Sequence, residues 1–165
     1  MKFKMPKGRM ITIIDILFLV GIMFFAKMYM EKYNKNSTSL TKDGIKYTLM
    51  INNKKIKKSE LLNIRLKIEN RKREKKELII KQAVPFNFII EKEGKLLYKR
   101  DIEERLSKIP KKIYLNRYQK IELGSEWYGD NLYNEKLTSG NYRMILYSTD
   151  LGIELPLDFE VIEEE

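Results

Sequence analysis

The chain has 165 residues, no Cys, no His, and 33 Lys plus Arg against 23 Asp plus Glu. Without imidazole or thiol there is no His general base, no Cys nucleophile, no zinc centre of the common ligand types and no disulfide framework. The composition therefore predicts a chain that is not an enzyme and holds no cofactor, metal or small-molecule substrate. The net charge of +10 is unevenly placed, because residues 1–35 carry seven bases against two acids, Asp15 and Glu31.

Residues 1–9 form a short basic tail. Met10 to Ala26 is apolar apart from Thr12, Asp15 and Gly21, and continuing to Met30 gives a stretch long enough to span a hydrocarbon core of roughly 30 Å. With no Cys to carry a thioether lipid, such a segment is the available means of membrane attachment. Phe24-Phe25-Ala26-Lys27-Met28 offers only one small residue where a signal peptidase would need two, so residues 10–30 predict an uncleaved transmembrane signal anchor. That places the chain in the inner (cytoplasmic) membrane as a single-pass protein with its C-terminal domain outside the cytoplasm. Asp15 lies close enough to Met10 to reach the interface. A second reading is that Lys7-Gly8 ahead of Ile11-Thr12-Ile13-Ile14-Asp15 is similar to the leader of type IV pilins, although the spacing from Gly8 to Asp15 differs.

Residues 31–44 read as a polar linker, and the folded domain is expected over residues 45–165. Tyr47, Leu49 and Ile51 alternate as a first strand. Leu62, Ile64, Leu66 and Ile68 alternate with Asn63, Arg65, Lys67 and Glu69, the signature of a half-buried strand with a charged outer face. Arg71 to Glu77 is a loop of charges, followed by a short strand at Leu78 to Lys81. Phe86 to Ile90 and Leu96 to Tyr98 form a hairpin around Glu93-Gly94. Asp101 to Leu106 fits one or two helical turns, and Tyr118 to Leu123 the next strand. In the last strand Ile153, Leu155, Leu157, Phe159 and Val161 share a face, and Pro156 on the other suggests an edge. Seven or eight short strands with regular turns predict an all-β antiparallel sandwich.

One stretch is more specific. Leu137-Thr138-Ser139-Gly140-Asn141-Tyr142 leads into a strand in which Tyr142, Met144 and Leu146 face one way, and a Tyr at that place can cap the incoming backbone with its hydroxyl. The same residues also fit an ordinary turn with an incidental Tyr. Taken in order, Asn63 to Asn70, Phe86 to Ile90 with Glu93-Gly94-Lys95, Tyr118 to Leu123, Trp127 and Ser139 to Met144 resemble the intracellular proteinase inhibitor family of the BsuPI type. The resemblance covers Leu62 to Thr149 and implies an immunoglobulin-like β-sandwich that binds a protein partner, a protease in that family.

Trp127 is expected in the core with Phe86 and Phe88, and Gly140 and Tyr142 at the corner. Tyr128, Asp130 and Tyr133 are then the candidate partner-binding residues, since an aromatic and polar loop suits recognition. Lys54 to Lys58 and Arg71 to Lys76 are two basic runs at opposite ends of the Leu62–Ile68 strand. They read as solvated loops, with attraction to anionic head groups as the functional alternative and nucleic acid not expected as a partner. Asp101, Glu103 and Glu104 lack metal-ligand spacing, and Ser107-Lys108 is not a catalytic dyad. The function expected is a membrane-anchored, non-catalytic protein-binding module; the alternative is an envelope or pilin-like assembly subunit.

Overall fold

A computed structural model describes residues 15–28, 36–100, 106–129 and 137–163. The chain divides into two compact units, residues 1–35 and residues 36–165. In the first, residues 15–28 form helix α1, whose large apolar side chains are exposed. Among the described residues no helix is long and apolar enough to cross a membrane. The transmembrane helix expected over residues 10–30 is therefore not found. At about 1.5 Å per residue the described helix extends roughly 21 Å, short of a hydrocarbon core, and the other residues of the expected span lie outside those described.

The second unit is all-β. Its strands are β1 (Ser37–Lys42), β2 (Ile45–Ile51), β3 (Lys55–Lys57), β4 (Leu62–Asn70), β5 (Lys76–Gln82), β6 (Asn87–Lys92), β7 (Lys95–Lys99), β8 (Leu106–Leu115), β9 (Lys120–Trp127), β10 (Gly140–Ser148) and β11 (Ile153–Ile162). One sheet has the order β1-β2-β4-β9, a second β3-β11-β10-β6-β7, and β5 pairs with β8 alone. Every pair is antiparallel except β3 with β11, so the sheets are not purely antiparallel as the sequence suggests.

Alternation explains the layering. Leu62, Ile64, Leu66 and Ile68 of β4 and Ile153 to Val161 on one face of β11 are buried, with Arg65 and Glu154 among the outward residues. They join Tyr142, Met144 and Leu146 of β10 and Phe88 and Ile90 of β6 in one hydrophobic cluster. Fully burying a side chain of this size contributes about 1.5–3 kcal/mol before the entropy of ordering it is counted. Pro156 sits opposite Ile145, and β3 reaches only Glu160 to Ile162 of β11, so the missing N–H at Pro156 faces no neighbouring strand.

Two expectations are corrected. Strand β1, Ser37–Lys42, lies inside the segment, residues 31–44, read as a linker. It is an edge strand of Ser and Thr held by backbone pairing with β2, so no hydrophobic period marks it. The β1–β2 turn is Asp43-Gly44, with φ of 52° and 80°, the left-handed pair that a two-residue hairpin requires. Strand β8 begins at Leu106, where the sequence suggests a helical turn; residues 101–105 are not described. Register slips between Ile80 and Gln82, where β5 bulges. The carboxylate of Asp150, in the β10–β11 turn, accepts both the Lys81 and Gln82 N–H groups at 2.8 Å.

Tyr47 of β2 is 4% exposed. Burial, and then the charge of Asp43, push its phenol above the ordinary 10.0. The fold thus favours the neutral ring, a contribution fully present below pH 10.0 and lost as pH rises through the raised value. Tyr47→Phe is expected to lose less stability than the wild type above pH 10.0, read from urea midpoints across an alkaline series.

Candidate functional site

Asn70, the last residue of β4, is fully buried, and a buried amide has to be hydrogen-bonded. Its Nδ2 donates to the carbonyls of Glu74 (2.7 Å), Leu115 (3.0 Å) and Asn116 (3.2 Å), and its Oδ1 accepts the Lys72 N–H at 2.9 Å. Its own N–H donates to the Gln119 carbonyl at 3.1 Å, and Arg71 N–H donates to the Gly44 carbonyl at 2.8 Å. One side chain thereby fixes the loop at residues 71–75 and the turn at residues 116–119 together.

This end of the unit is cationic. Residues 71–75 are exposed, and Lys75 Nζ lies 4.2 Å from the centre of the Tyr114 ring. Arg117 Cζ lies 4.8 Å from the Tyr118 ring, and Tyr114 and Tyr118 are 47% and 50% exposed. Tyr118 has φ of 57°, an unusual conformation for a bulky residue, within a turn closed by Gln119 N–H to the Asn116 carbonyl. Glu69 pairs with Arg71 at 3.0 Å and Lys120 at 4.0 Å. Across β5 and β8 the Lys112 ammonium meets Glu77 at 2.9 Å; this hydrogen bond, then the charge, hold it above its ordinary value.

At the opposite end the chain enters the sheet. Ile51 N–H donates to the Asn36 carbonyl at 3.0 Å, and Asn36 Nδ2 to the Asn52 carbonyl at 3.0 Å. The lysines here are partly neutralised, Lys55 by Glu160 at 2.8 Å and Lys58 by Glu163 at 3.2 Å. Tyr128 is exposed and its hydroxyl lies 3.1 Å from Glu126 Oε2, to which it donates. Asp130 and Tyr133 lie outside the described residues, so Tyr128 is the one of the three candidates whose place is described.

Trp127 is 1% exposed and packs between Tyr98 (6.0 Å) and Phe159 (6.1 Å), its Nε1 without a hydrogen-bond partner among the described residues. Phe86 and Phe88 are buried. The Tyr142 hydroxyl donates to the Thr138 carbonyl at 2.6 Å and accepts the Thr138 N–H at 3.2 Å, while its ring stacks on Phe159. Gly140 has φ of 135°, and a side chain there would press on Lys92, which donates to Thr138 Oγ1 and the Ser139 carbonyl.

A groove of about 620 Å³ is lined by Glu91, Arg143, Asp158, Glu160 and Lys55 among others. Arg143 stands between Glu91 and Asp158 in the register and binds Asp158 at 2.8 Å. That hydrogen bond, and then the charge, raise its guanidinium above the ordinary value. The groove is thus floored by a cross-strand ion-pair ladder, and among the described residues no cluster of three or more potential ligands could hold a metal.

No family model and no curated protein matches the chain. Solved structures do. A β-glucosidase from Listeria innocua in complex with glucose is 16% identical over 76% of this chain and 16% of its own, with a TM-score of 0.41. The alkylpurine DNA glycosylase AlkC of Pseudomonas fluorescens is 14% identical over 68% of this chain and 29% of its own, TM-score 0.40. A CARDB domain from Pyrococcus furiosus is 11% identical over 79% and 97%, TM-score 0.35. The chain spans about a sixth of the Listeria enzyme's length. The expectation that this chain is not an enzyme is corrected here: the matched β-glucosidases are enzymes, and a pair of carboxylates hydrolyses glycosides with neither His nor Cys. Likeness at these scores carries no activity, substrate or site to this chain.

Sequence reasoning missed Asn70, Tyr114 and the turn at Tyr118. Asn116 ahead of Arg117-Tyr118 is a turn signal that marks the last of these. Replacing Asn70 by Ala is expected to cost roughly 2–4 kcal/mol in urea unfolding, because several backbone groups lose a buried partner. Tyr118→Gly, which relieves the left-handed backbone, is expected to raise stability by up to about 1 kcal/mol in the same measurement.

Proposed function

We propose that this chain is a membrane-tethered protein-binding module, an immunoglobulin-like sandwich similar to BsuPI-type proteinase inhibitors, held at the inner membrane with residues 36–165 outside the cytoplasm. The observation that carries the tether is helix α1. Every large apolar residue from Ile16 to Phe25 is more than half exposed, Phe18 and Phe25 reaching 71% and 73%, and only Gly21 interrupts them. A helix apolar on every side has no stable place in water and belongs in lipid or a core. With the apolar residues that flank it in sequence, the segment from Met10 to Met30 is long enough to be the anchor.

The sandwich reading is supported by two sheets sharing one core and by the Tyr142 hydroxyl closing the corner before β10. Protein binding is supported by the resemblance, and by a β unit that carries exposed charged residues at both ends of its strands.

The test is extraction. After an alkaline carbonate wash the full chain is expected to stay with the membrane pellet, and a Leu17→Lys, Phe18→Lys double variant to leave it, since each charge costs about 2.5–3.5 kcal/mol at mid-span. Release of the wild type into the supernatant overturns the tether.

A further inference from the structure

We propose that the cationic end of the β unit, formed by the loop at residues 71–75 and the turn at residues 116–119, docks an acidic protein surface. This rests on the binding-module reading and specifies the surface and the chemistry of its partner.

The two basic runs of the sequence differ once folded. In the run near Asn36, Lys55 and Lys58 are paired with Glu160 and Glu163, which leaves Lys54 and Lys57 without an ion pair among the described residues. In the other run Arg71 is paired with Glu69, while Lys72, Arg73 and Lys76 have no ion pair among the described residues, and Lys75 and, in the neighbouring turn, Arg117 lie over tyrosine rings. Cations not neutralised within the fold keep their field for a partner. Arg and Tyr are also the side chains that dominate binding hot spots.

The surface is built in advance. Asn70 holds both the loop and the turn through its buried amide, so little ordering entropy remains to be lost on association. Tyr118 is kept in a left-handed conformation that a Gly would occupy without strain, which places its ring outside the fold beside Arg117.

The surroundings favour a protein over a nucleic acid. Tyr114 and Tyr118 each have one ring face covered by a cation, which leaves less open ring for stacked bases. Ile79, opposite Lys112 across β5 and β8 and two positions along from the Glu77–Tyr114 pair, is 42% exposed. An apolar residue among cations matches a folded acidic surface better than a bare polyanion.

The test uses the full chain in detergent micelles and a fluorescein-labelled peptide of alternating Glu and Tyr, with oligothymidylate of equal charge as the comparison. Wild type is expected to bind the peptide more tightly than the oligonucleotide. R73E/K75E/R117E should weaken peptide binding at least roughly tenfold, and K54E/K57E/K58E less than about twofold. R73S/K75S/R117S should show a partial loss at unchanged thermal midpoint, which keeps the result independent of folding. No peptide binding, equal losses from the two sets, or tighter binding of oligothymidylate overturns the proposal. Carbonate extraction of the same variants should match wild type, and that result is read separately, because its failure would strike the tether and not this surface.

Discussion

The β unit depends on the dry contact between apolar faces of period two. The inward residues of β4, Leu62, Ile64, Leu66 and Ile68, face a core shared with Tyr142, Met144 and Leu146 of β10 and the long run from Ile153 to Val161 in β11. A slip of one residue in any of these strands would carry Arg65, Lys67 or Asp158 into that core and turn its apolar set to water. Register is therefore strongly specified. It follows that charged residues lie on outer faces and at the chain reversals, and that binding surfaces have to be sought at the two ends of the strands.

The ends are closed differently from the middle. Where the sheets stop, backbone groups still need partners, and short polar side chains supply them. Asn70 bridges three segments at the end of β4, Asp150 satisfies two consecutive N–H groups at the bulge of β5, and Ser148 Oγ donates to the Pro85 carbonyl at 2.8 Å. These residues hold the loops without adding to the apolar core. They make the end at residues 71–75 and 116–119 firm while its lysines and arginines remain in solvent.

Much of the strand content was legible because it rests on alternation. Leu62 to Ile68 and Ile153 to Val161 announce themselves in sequence, and the corner at Tyr142 follows from a Leu, a Gly and a Tyr at fixed intervals. Strand β1 was not legible, since an exposed edge of Ser and Thr is held by backbone bonds that leave no hydrophobic period. Nor was β8, where Pro110 and Lys111-Lys112 obscure a pairing made with β5 alone. The polar hub was hidden for a different reason. Asn70 looks like the end of a strand in sequence, and its partners at Leu115 and Asn116 come close only through the fold. Tyr128 stands exposed, and the other two candidates of that loop, Asp130 and Tyr133, lie outside the described residues. The charge runs were visible as runs, whereas which lysines are neutralised depends on Glu160 and Glu163 arriving from β11 and the C-terminal segment.

Strand β1 runs from Asn36, where the chain enters the sheet, to the Asp43-Gly44 turn, whose Gly44 carbonyl is bonded by Arg71. A pull applied at Asn36 and opposed at the 71–75 loop would act along this strand, not across it. The six residue pairs between β1 and β2 would then share the tension in shear, instead of opening one after another from the end. An edge strand that adds little to the hydrophobic core can in this way be the element that sets how much force the unit withstands before it yields.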